Sequence, residues 1–189
     1  MINHFDFADA AASPELIGIP YSKLDCQALV ERVLSNVGIK RNWRGSNHMW
    51  REACQWRGTF DECIEKFGEI PPGACLFTVK HDGGEVKRGY HDNEGNAAHV
   101  GINIGNNVAI HSTTGGVQLC ETRATRWTHV GFFKDIDFAD VYNDDDSDNN
   151  DVVDAINRVL DDLIIVKTKL NAYISALENL RKAVLKNDD

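Results

Sequence analysis

The stretch AAHVGINIGNNVAIHS, residues 97–112, determines the architecture of the sheet and carries two candidate site residues. It is typical of two short strands joined by a turn at residues 105–107. With a three-residue loop, Gly101 faces His111 across the hairpin, and His99 becomes a diagonal neighbour of His111 on one face. The stretch therefore predicts a β-hairpin that presents two imidazoles side by side.

Similar runs of β-branched and aromatic residues lie on both sides of this hairpin. They are ACLFTVK at 74–80, GVQLCE at 116–121 and HVGFFK at 129–134, and glycine-containing turns separate them. Short strands bounded by turns favour an antiparallel sheet. Because a helical pattern precedes the strands, we expect an α+β domain with N-terminal helices packed on that sheet.

The segment LDCQALVERVLSNVGI, residues 24–39, has apolar residues at helical spacing. Asp25 is suited to the N-cap and Gly38 to the position after the C-cap, so Cys26 falls in the first turn. The positive end of a helix dipole favours a thiolate there, which would make Cys26 reactive. A cysteine in an apolar helix is also typical of an inert core residue.

A helix-borne thiol beside two histidines predicts nucleophilic catalysis. One imidazole of the His99 and His111 pair can take the proton of Cys26, while the other fixes its tautomer and orientation. The same three residues could instead bind zinc, since thiolate and imidazole are good zinc ligands. Four loop residues could add to such a metal site: His81, Asp82, His91 and Asp92. We favour the catalytic interpretation and predict no metal and no cofactor.

The order and spacing of these motifs resemble the NlpC/p60 cysteine peptidases of bacterial cell walls. The matching residues are Asp25-Cys26, Pro72-Gly73 before a strand, the His-Val-Gly-Ile run 99–102 and the Ile-His-Ser run 110–112. Tyr21, in the Ile-Pro-Tyr run before the nucleophile, looks like the tyrosine that lines the substrate cleft in this family. The resemblance covers about residues 15–134.

This resemblance implies a papain-like peptidase that hydrolyses peptidoglycan stem peptides at the γ-D-glutamyl to diamino-acid bond. It implies that Cys26 is the nucleophile, His99 the base and His111 the residue that orients His99, with Tyr21 and Asp25 shaping the substrate cleft. The alternative function is a catalytically silent wall-binding or phage-structural module organised by the C-terminal helix.

Length and composition are consistent with one domain and an appendage. The chain has 189 residues, of which 42% are hydrophobic, and we place the peptidase domain at residues 1–140. Five cysteines without a CxxC pair indicate a reduced protein without disulfides. We find no signal-peptide pattern and no stretch of transmembrane length, which predicts synthesis in the cytoplasm. A peptidase of this kind would need another route to the wall, such as cell lysis, a phage particle or a dedicated injection machine.

The negative charge of the chain is concentrated in one region. The formal net charge is −9, and residues 135–151 contain eight aspartates and neither lysine nor arginine. A chain without a basic excess lacks the electrostatic signature of a nucleic-acid-binding protein. Residues 141–151 are predicted to be an acidic linker. Its alternating aspartates lack the glycine and closing glutamate of a calcium loop, which disfavours calcium binding.

Residues 152–189 show a heptad pattern that predicts a coiled-coil helix. Apolar residues predominate at its a and d positions, where the exceptions are Lys167 and Arg181. Apolar residues also occupy position g, at Val152, Val159, Val166, Tyr173 and Leu180. Because the apolar stripe is wide, we expect a homo-oligomer of three or more chains, with docking of the helix on its own domain as the alternative.

Residues 41–57 alternate tryptophans with arginines. The arginines could form a rim that binds an anionic, partly apolar ligand. The segment could equally be a loop and helix whose tryptophans cover the core, and we favour this second interpretation.

Overall fold

The computed structural model describes residues 1–81 and 94–142 and, in the tail, positions 159, 163, 165–167, 169–170 and 173–174. The helices are α1 (His4–Ala11), α2 (Cys26–Asn36), α3 (Ser46–His48), α4 (Phe60–Phe67) and α5 (Ala139–Tyr142). The strands are β1 (Ile2–Asn3), β2 (Cys54–Thr59), β3 (Cys75–Lys80), β4 (Asn96–Asn103), β5 (Val108–Thr113), β6 (Gly116–Glu121), β7 (His129–Phe133) and β8 (Ile136–Asp137).

Six of these strands form one antiparallel sheet in the order β2-β7-β3-β4-β5-β6, and β1 pairs with β8 in parallel. The sequence predicted five of the six strands of the large sheet, and all five are present. The mixed fold of helices and an antiparallel sheet is therefore confirmed.

Helix α2 packs against β4 and β5, and the side chain of Cys26 lies beside Val100 of β4. Its inner face is fully buried, because Leu29, Val33 and Leu34 all point into the core. The side chain of Asp25 accepts a hydrogen bond from the backbone N–H of Ala28 at 2.8 Å, which caps the helix as predicted. After α2 ends, Gly38 takes a positive φ of 86°, a conformation that favours glycine.

Residues 41–57, which are rich in tryptophan and arginine, were predicted to form a loop and a helix, but the segment ends in a strand. A short helix and a π-helical turn (Met49–Ala53) lead into β2, an edge strand paired with β7. Local sequence did not indicate this strand, because the strand depends on tertiary partners. The ring of Trp56 lies 4.9 Å from that of Phe132 and 5.0 Å from that of Phe67.

The two ends of the domain are joined through His4. One ring nitrogen, Nδ1, contacts the carbonyl oxygen of Pro72 at 2.8 Å, and Nε2 lies 3.0 Å from the carboxylate of Asp140. Farther along α5, the ring of Tyr142 packs edge-on against Phe67 at 5.2 Å. The contacts of the domain therefore extend to Tyr142, at the point where the predicted linker begins.

The described tail positions are helical and have two different sides. Ile165 is only 6% exposed and lies next to Gly105 and Pro72 of the domain. By contrast, the apolar stripe is between 46% and 64% exposed at Val159, Leu163, Val166, Leu170, Tyr173 and Ile174. Nowhere in the described part of the chain does a helix combine the length and apolarity needed to cross a bilayer.

Candidate active site

Cys26 is the first residue of α2, and its side chain is nearly enclosed. The residue is 8% exposed. Burial raises the pKa of the Cys26 thiol, and hydrogen bonds from the backbone N–H of Val100 and the hydroxyl of Tyr21 only partly offset this effect. The sequence favoured a thiolate at this helix start. In the structure burial dominates, so the resting group at neutral pH is the thiol.

Tyr21 lies beside this thiol at the solvent-facing edge of the site. Burial raises the pKa of Tyr21 to about 12, and the charge of a Cys26 thiolate would add to the effect. The backbone before Tyr21 is tied to β6, because Gly18 N–H donates to the carbonyl of Val117 at 2.8 Å and Val117 N–H donates to Ile19 at 2.9 Å. These bonds hold the tyrosine segment against the sheet.

The two predicted histidines are in direct contact. Gly101 pairs with His111 in the ladder between β4 and β5, which is the register that a three-residue turn requires. Nε2 of His99 lies 2.9 Å from Nδ1 of His111. One hydrogen bond therefore links the imidazoles, and Nδ1 of His99 remains available to another partner.

Both imidazoles are neutral at pH 7. Burial lowers the pKa of His99 to about 4, with a further contribution from the positive charge of Arg126. Burial also lowers the pKa of His111 to about 4, and the neighbouring His99 and Arg126 act in the same direction. A neutral thiol and a neutral imidazole are the two partners needed for general-base activation of a nucleophile.

A hydrogen bond across the core links the start of helix α2 to strand β5, which carries His111. The buried hydroxyl of Ser112 donates to the carbonyl oxygen of Leu24, two residues before Cys26. Since Ser112 follows His111 on β5, this bond sets the start of α2 relative to the imidazole pair. Ser112, the last residue of the Ile-His-Ser run 110–112, therefore has a structural role in the site.

Trp127 covers both imidazoles, and sequence reasoning did not identify it. Its ring is stacked on His99 at 5.3 Å, with an angle of 8° between the planes, and meets His111 nearly edge-on at 5.4 Å. A β-carbon at Gly101 would lie 2.8 Å from the indole, so only glycine leaves room for it. The glycine between His99 and Ile102 was the signal in the sequence that a bulky group covers this strand.

The segment that carries Trp127 is fixed to the end of β3. The hydroxyl of Thr78 donates to the carbonyl of Arg126 at 2.7 Å, and the backbone N–H of Val79 donates to the hydroxyl of Thr128 at 2.8 Å. The register of β3 with β4 shifts at this point, between Thr78 and Val79. The extra residue at this irregularity is Ala98, directly before His99.

Replacing Gly101 with alanine should destabilise the protein, because the added β-carbon would meet the indole at 2.8 Å and the carbonyl oxygen of Ile110 at 2.9 Å. We expect a loss of about 1–3 kcal/mol in the free energy of unfolding, measured by urea denaturation. Gly115→Ala is the matched control, since its nearest atom would be 3.6 Å away. Equal stability of the two variants would contradict this packing.

Three of the four arginines in residues 41–57 form ion pairs within the protein itself. Arg41 is paired with Asp135, and both Arg51 and Arg57 are paired with Glu94. Trp43 and Trp50 are buried in the core. These contacts favour the interpretation that the segment covers the core over that of a ligand-binding rim.

Within residues 1–81, 94–142 and the described tail positions, no group of three or more histidine, cysteine, aspartate or glutamate side chains is arranged to hold a metal ion. Asp82, His91 and Asp92, which the sequence suggested as additional ligands, lie outside the described residues, as does the aspartate-rich stretch 143–150. All five cysteines are free thiols.

The structure resembles a P60 domain. It is similar to the crystal structure of the P60 domain from an antigen of M. avium subspecies paratuberculosis, with a TM-score of 0.47 and 16% sequence identity. The match covers 68% of this chain and 93% of that chain. The sequence matches no family model and no curated protein.

Proposed function

We propose that the protein is a cysteine peptidase of the NlpC/p60 type that hydrolyses peptidoglycan stem peptides. The observation that supports this most is the 2.9 Å contact between His99 and His111, on the strands against which the Cys26 helix packs. The substrate class, and the γ-D-glutamyl to diamino-acid bond within it, come from the resemblance of the sequence motifs to the NlpC/p60 peptidases. Delivery to the wall by lysis or a phage particle belongs to the same proposal.

The reaction would begin with the neutral thiol of Cys26 and the neutral imidazole of His99. The sulfur of Cys26 attacks the γ-carbonyl carbon while the thiol proton passes to Nδ1 of His99, and His111 stabilises the imidazolium that forms. When the C–N bond breaks, the same proton goes to the leaving amine. Water then attacks the thioester with His99 as base, which releases the D-glutamyl carboxylate and restores the thiol.

The start of α2 supplies the donor for the oxyanion. Asp25 accepts the N–H of Ala28, and the N–H of Leu29 donates to the carbonyl oxygen of Asp25 at 2.9 Å. The backbone N–H of Gln27 is directed to the sulfur of Cys26. Among the first N–H groups of the helix, that of Cys26 is therefore the one we assign to the developing negative charge. In this proposal Asp25 contributes to the site by capping the helix, and Tyr21 lines the substrate cleft.

Digestion of purified peptidoglycan tests the function directly. We expect mass spectrometry to find new amino termini on the diamino acid and free γ-carboxylates on D-glutamate. Cleavage at a different bond would contradict the proposed specificity. Intact stem peptides after digestion would contradict the peptidase itself and favour the alternative, a silent wall-binding module.

We also propose that the C-terminal helix assembles the protein into oligomers of three or more chains. The described tail positions support this, because Ile165 contacts the domain whereas the apolar stripe faces solvent. Burying such a stripe against copies of itself removes apolar surface from water. Docking through Ile165 and self-association through the stripe use different sides of the helix and are compatible.

The full-length chain should be oligomeric, and a chain ending at Tyr142 should be monomeric and still cleave soluble stem peptides. The truncated chain keeps the contacts of His4 with Asp140 and of Tyr142 with Phe67. Light scattering at micromolar concentration measures the mass of both, and circular dichroism checks the fold of the shorter one. A monomeric full-length chain would refute self-association, and a folded but inactive truncation would refute independence of the two parts.

A further inference from the structure

We infer that Gln118 is a positioning residue that holds both imidazoles of the site in the tautomers that make His99 a base. This inference rests on the proposed Cys26–His99 chemistry. It assigns a role to a residue on β6, a strand outside the motifs that the sequence analysis singled out.

Gln118 lies directly opposite His111 in the antiparallel ladder between β5 and β6. Directly opposed residues in such a ladder project from the same face of the sheet. The amide nitrogen of Gln118 lies 3.5 Å from Nε2 of His111, whereas Nδ1 of His111 is bonded to His99. Turning the amide by 180° brings its carbonyl oxygen to the same place, because the two ends of the amide have nearly the same shape. Three side chains therefore follow one another inward from the edge strand: Gln118, His111 and His99.

The positions of the protons on the two imidazoles determine whether Gln118 must donate or accept a hydrogen bond. To accept the thiol proton on Nδ1, neutral His99 must carry its own proton on Nε2 and donate it to Nδ1 of His111. Neutral His111 then carries its proton on Nε2, which needs an acceptor. The carbonyl oxygen of the Gln118 amide is that acceptor when it faces the ring, and rotation of the amide by 180° exchanges its oxygen and nitrogen.

The opposite orientation of the amide would disable the base. If Gln118 donated to Nε2 of His111, the imidazole proton would lie on Nδ1 and point at His99. Nε2 of His99 would then be the acceptor, and its proton would occupy Nδ1, where the thiol proton must arrive. The orientation of one amide thus selects between a competent and an incompetent pair.

Burial explains why the protein must provide this acceptor. His111 is 0% exposed, so solvent does not reach its ring, whereas Gln118, opposite it on the edge strand β6, is exposed. A buried N–H without a partner costs about 1–3 kcal/mol. The same acceptor also serves the intermediate, in which His99 is an imidazolium and donates through Nε2.

Two substitutions at Gln118 and one control test this role in the full-length protein. Gln118→Glu supplies an acceptor that cannot donate when ionised, whereas Gln118→Leu supplies neither. The control is Leu119→Glu, which introduces the same charge one residue farther along the strand, on the opposite face of the sheet. Nitrogen-15 NMR of histidine-labelled protein reports which ring nitrogen of His99 and of His111 carries the proton.

In the unmodified protein we expect both histidines to be protonated at Nε2. In Gln118→Leu both tautomers should be populated, and kcat/KM should fall about tenfold through a lower kcat. This loss is smaller than the roughly 10⁴-fold that a catalytic histidine held entirely in the wrong tautomer can cause. Gln118→Glu should keep the tautomers and move the acidic limb of the pH profile upward, because its charge stabilises the imidazolium. Leu119→Glu should change neither readout.

Protonation of His111 at Nδ1 in the unmodified protein would overturn the inference, and so would unchanged tautomers in Gln118→Leu. The NMR result does not depend on hydrolysis. If the protein failed to cleave stem peptides while Nε2 of both rings carried the proton, the proposed function would fall and the tautomer assignment would stand.

Discussion

Replacing Cys26 with alanine is expected to abolish hydrolysis of wall peptides, with a loss of at least about 10⁴-fold in kcat/KM. The thiol forms the covalent intermediate, and Tyr21, the hydroxyl beside it, has a pKa of about 12 and is a poor replacement nucleophile. The fold should be unchanged, because the side chain is small and the capping bond of Asp25 does not involve it. Peptidoglycan digestion and circular dichroism measure the two effects.

Cys120→Ala is the matched control for this prediction. Cys120 is also a free thiol and is half-buried on β6, near the histidine strands. Burial raises the pKa of Cys120 as it does that of Cys26, so the control tests position and not general thiol chemistry. Full activity of Cys26→Ala, or labelling of Cys120 by a substrate-like electrophile, would show that the site assignment is wrong.

Replacing His99 with alanine should be nearly as damaging as loss of the thiol, since a nucleophile and its base act as a unit. His111→Ala should cost about 10²-fold less than His99→Ala, because the group that orients a base contributes less than the base. Comparison of kcat/KM for the two variants measures this order. A larger loss for His111→Ala than for His99→Ala would contradict the assigned roles.

The imidazole of His99 determines how kcat/KM is expected to depend on pH. Only neutral His99 can take the thiol proton, so activity falls as pH drops through its pKa. Because burial lowers that pKa to about 4, the acidic limb of kcat/KM should lie near pH 4 and not near the ordinary histidine value of about 6.5. An acidic limb near pH 6.5 would indicate that the imidazole is solvated in the working enzyme.

Local sequence was sufficient for the elements that short-range rules control. Helix α2 was predicted with its N-cap at Asp25 and its terminating glycine at Gly38, because capping and the spacing of apolar residues act within a few residues. The pairing of Gly101 with His111 followed from the loop length, because a strand has a side-chain period of two. These two elements were enough to nominate Cys26 and both histidines.

Long-range packing determined the rest of the candidate site. Strand β2 was missed because its partners lie on β7, at least 70 residues later in the chain. Trp127 was missed for the same reason, since the loop that carries it is positioned by bonds to Thr78 and Val79. The protonation state of Cys26 also depends on burial, which a helix pattern does not reveal.

By itself, therefore, the sequence determined which residues form the hairpin and the nucleophile helix, because caps, turns and strand alternation are local constraints. Only the tertiary structure decided how those residues behave. It placed the indole of Trp127 over both imidazoles, brought Gln118 to the far nitrogen of His111, and removed the thiol from water. Each of these depends on contacts between segments distant in the chain, and burial of this kind shifts pKa values and selects tautomers.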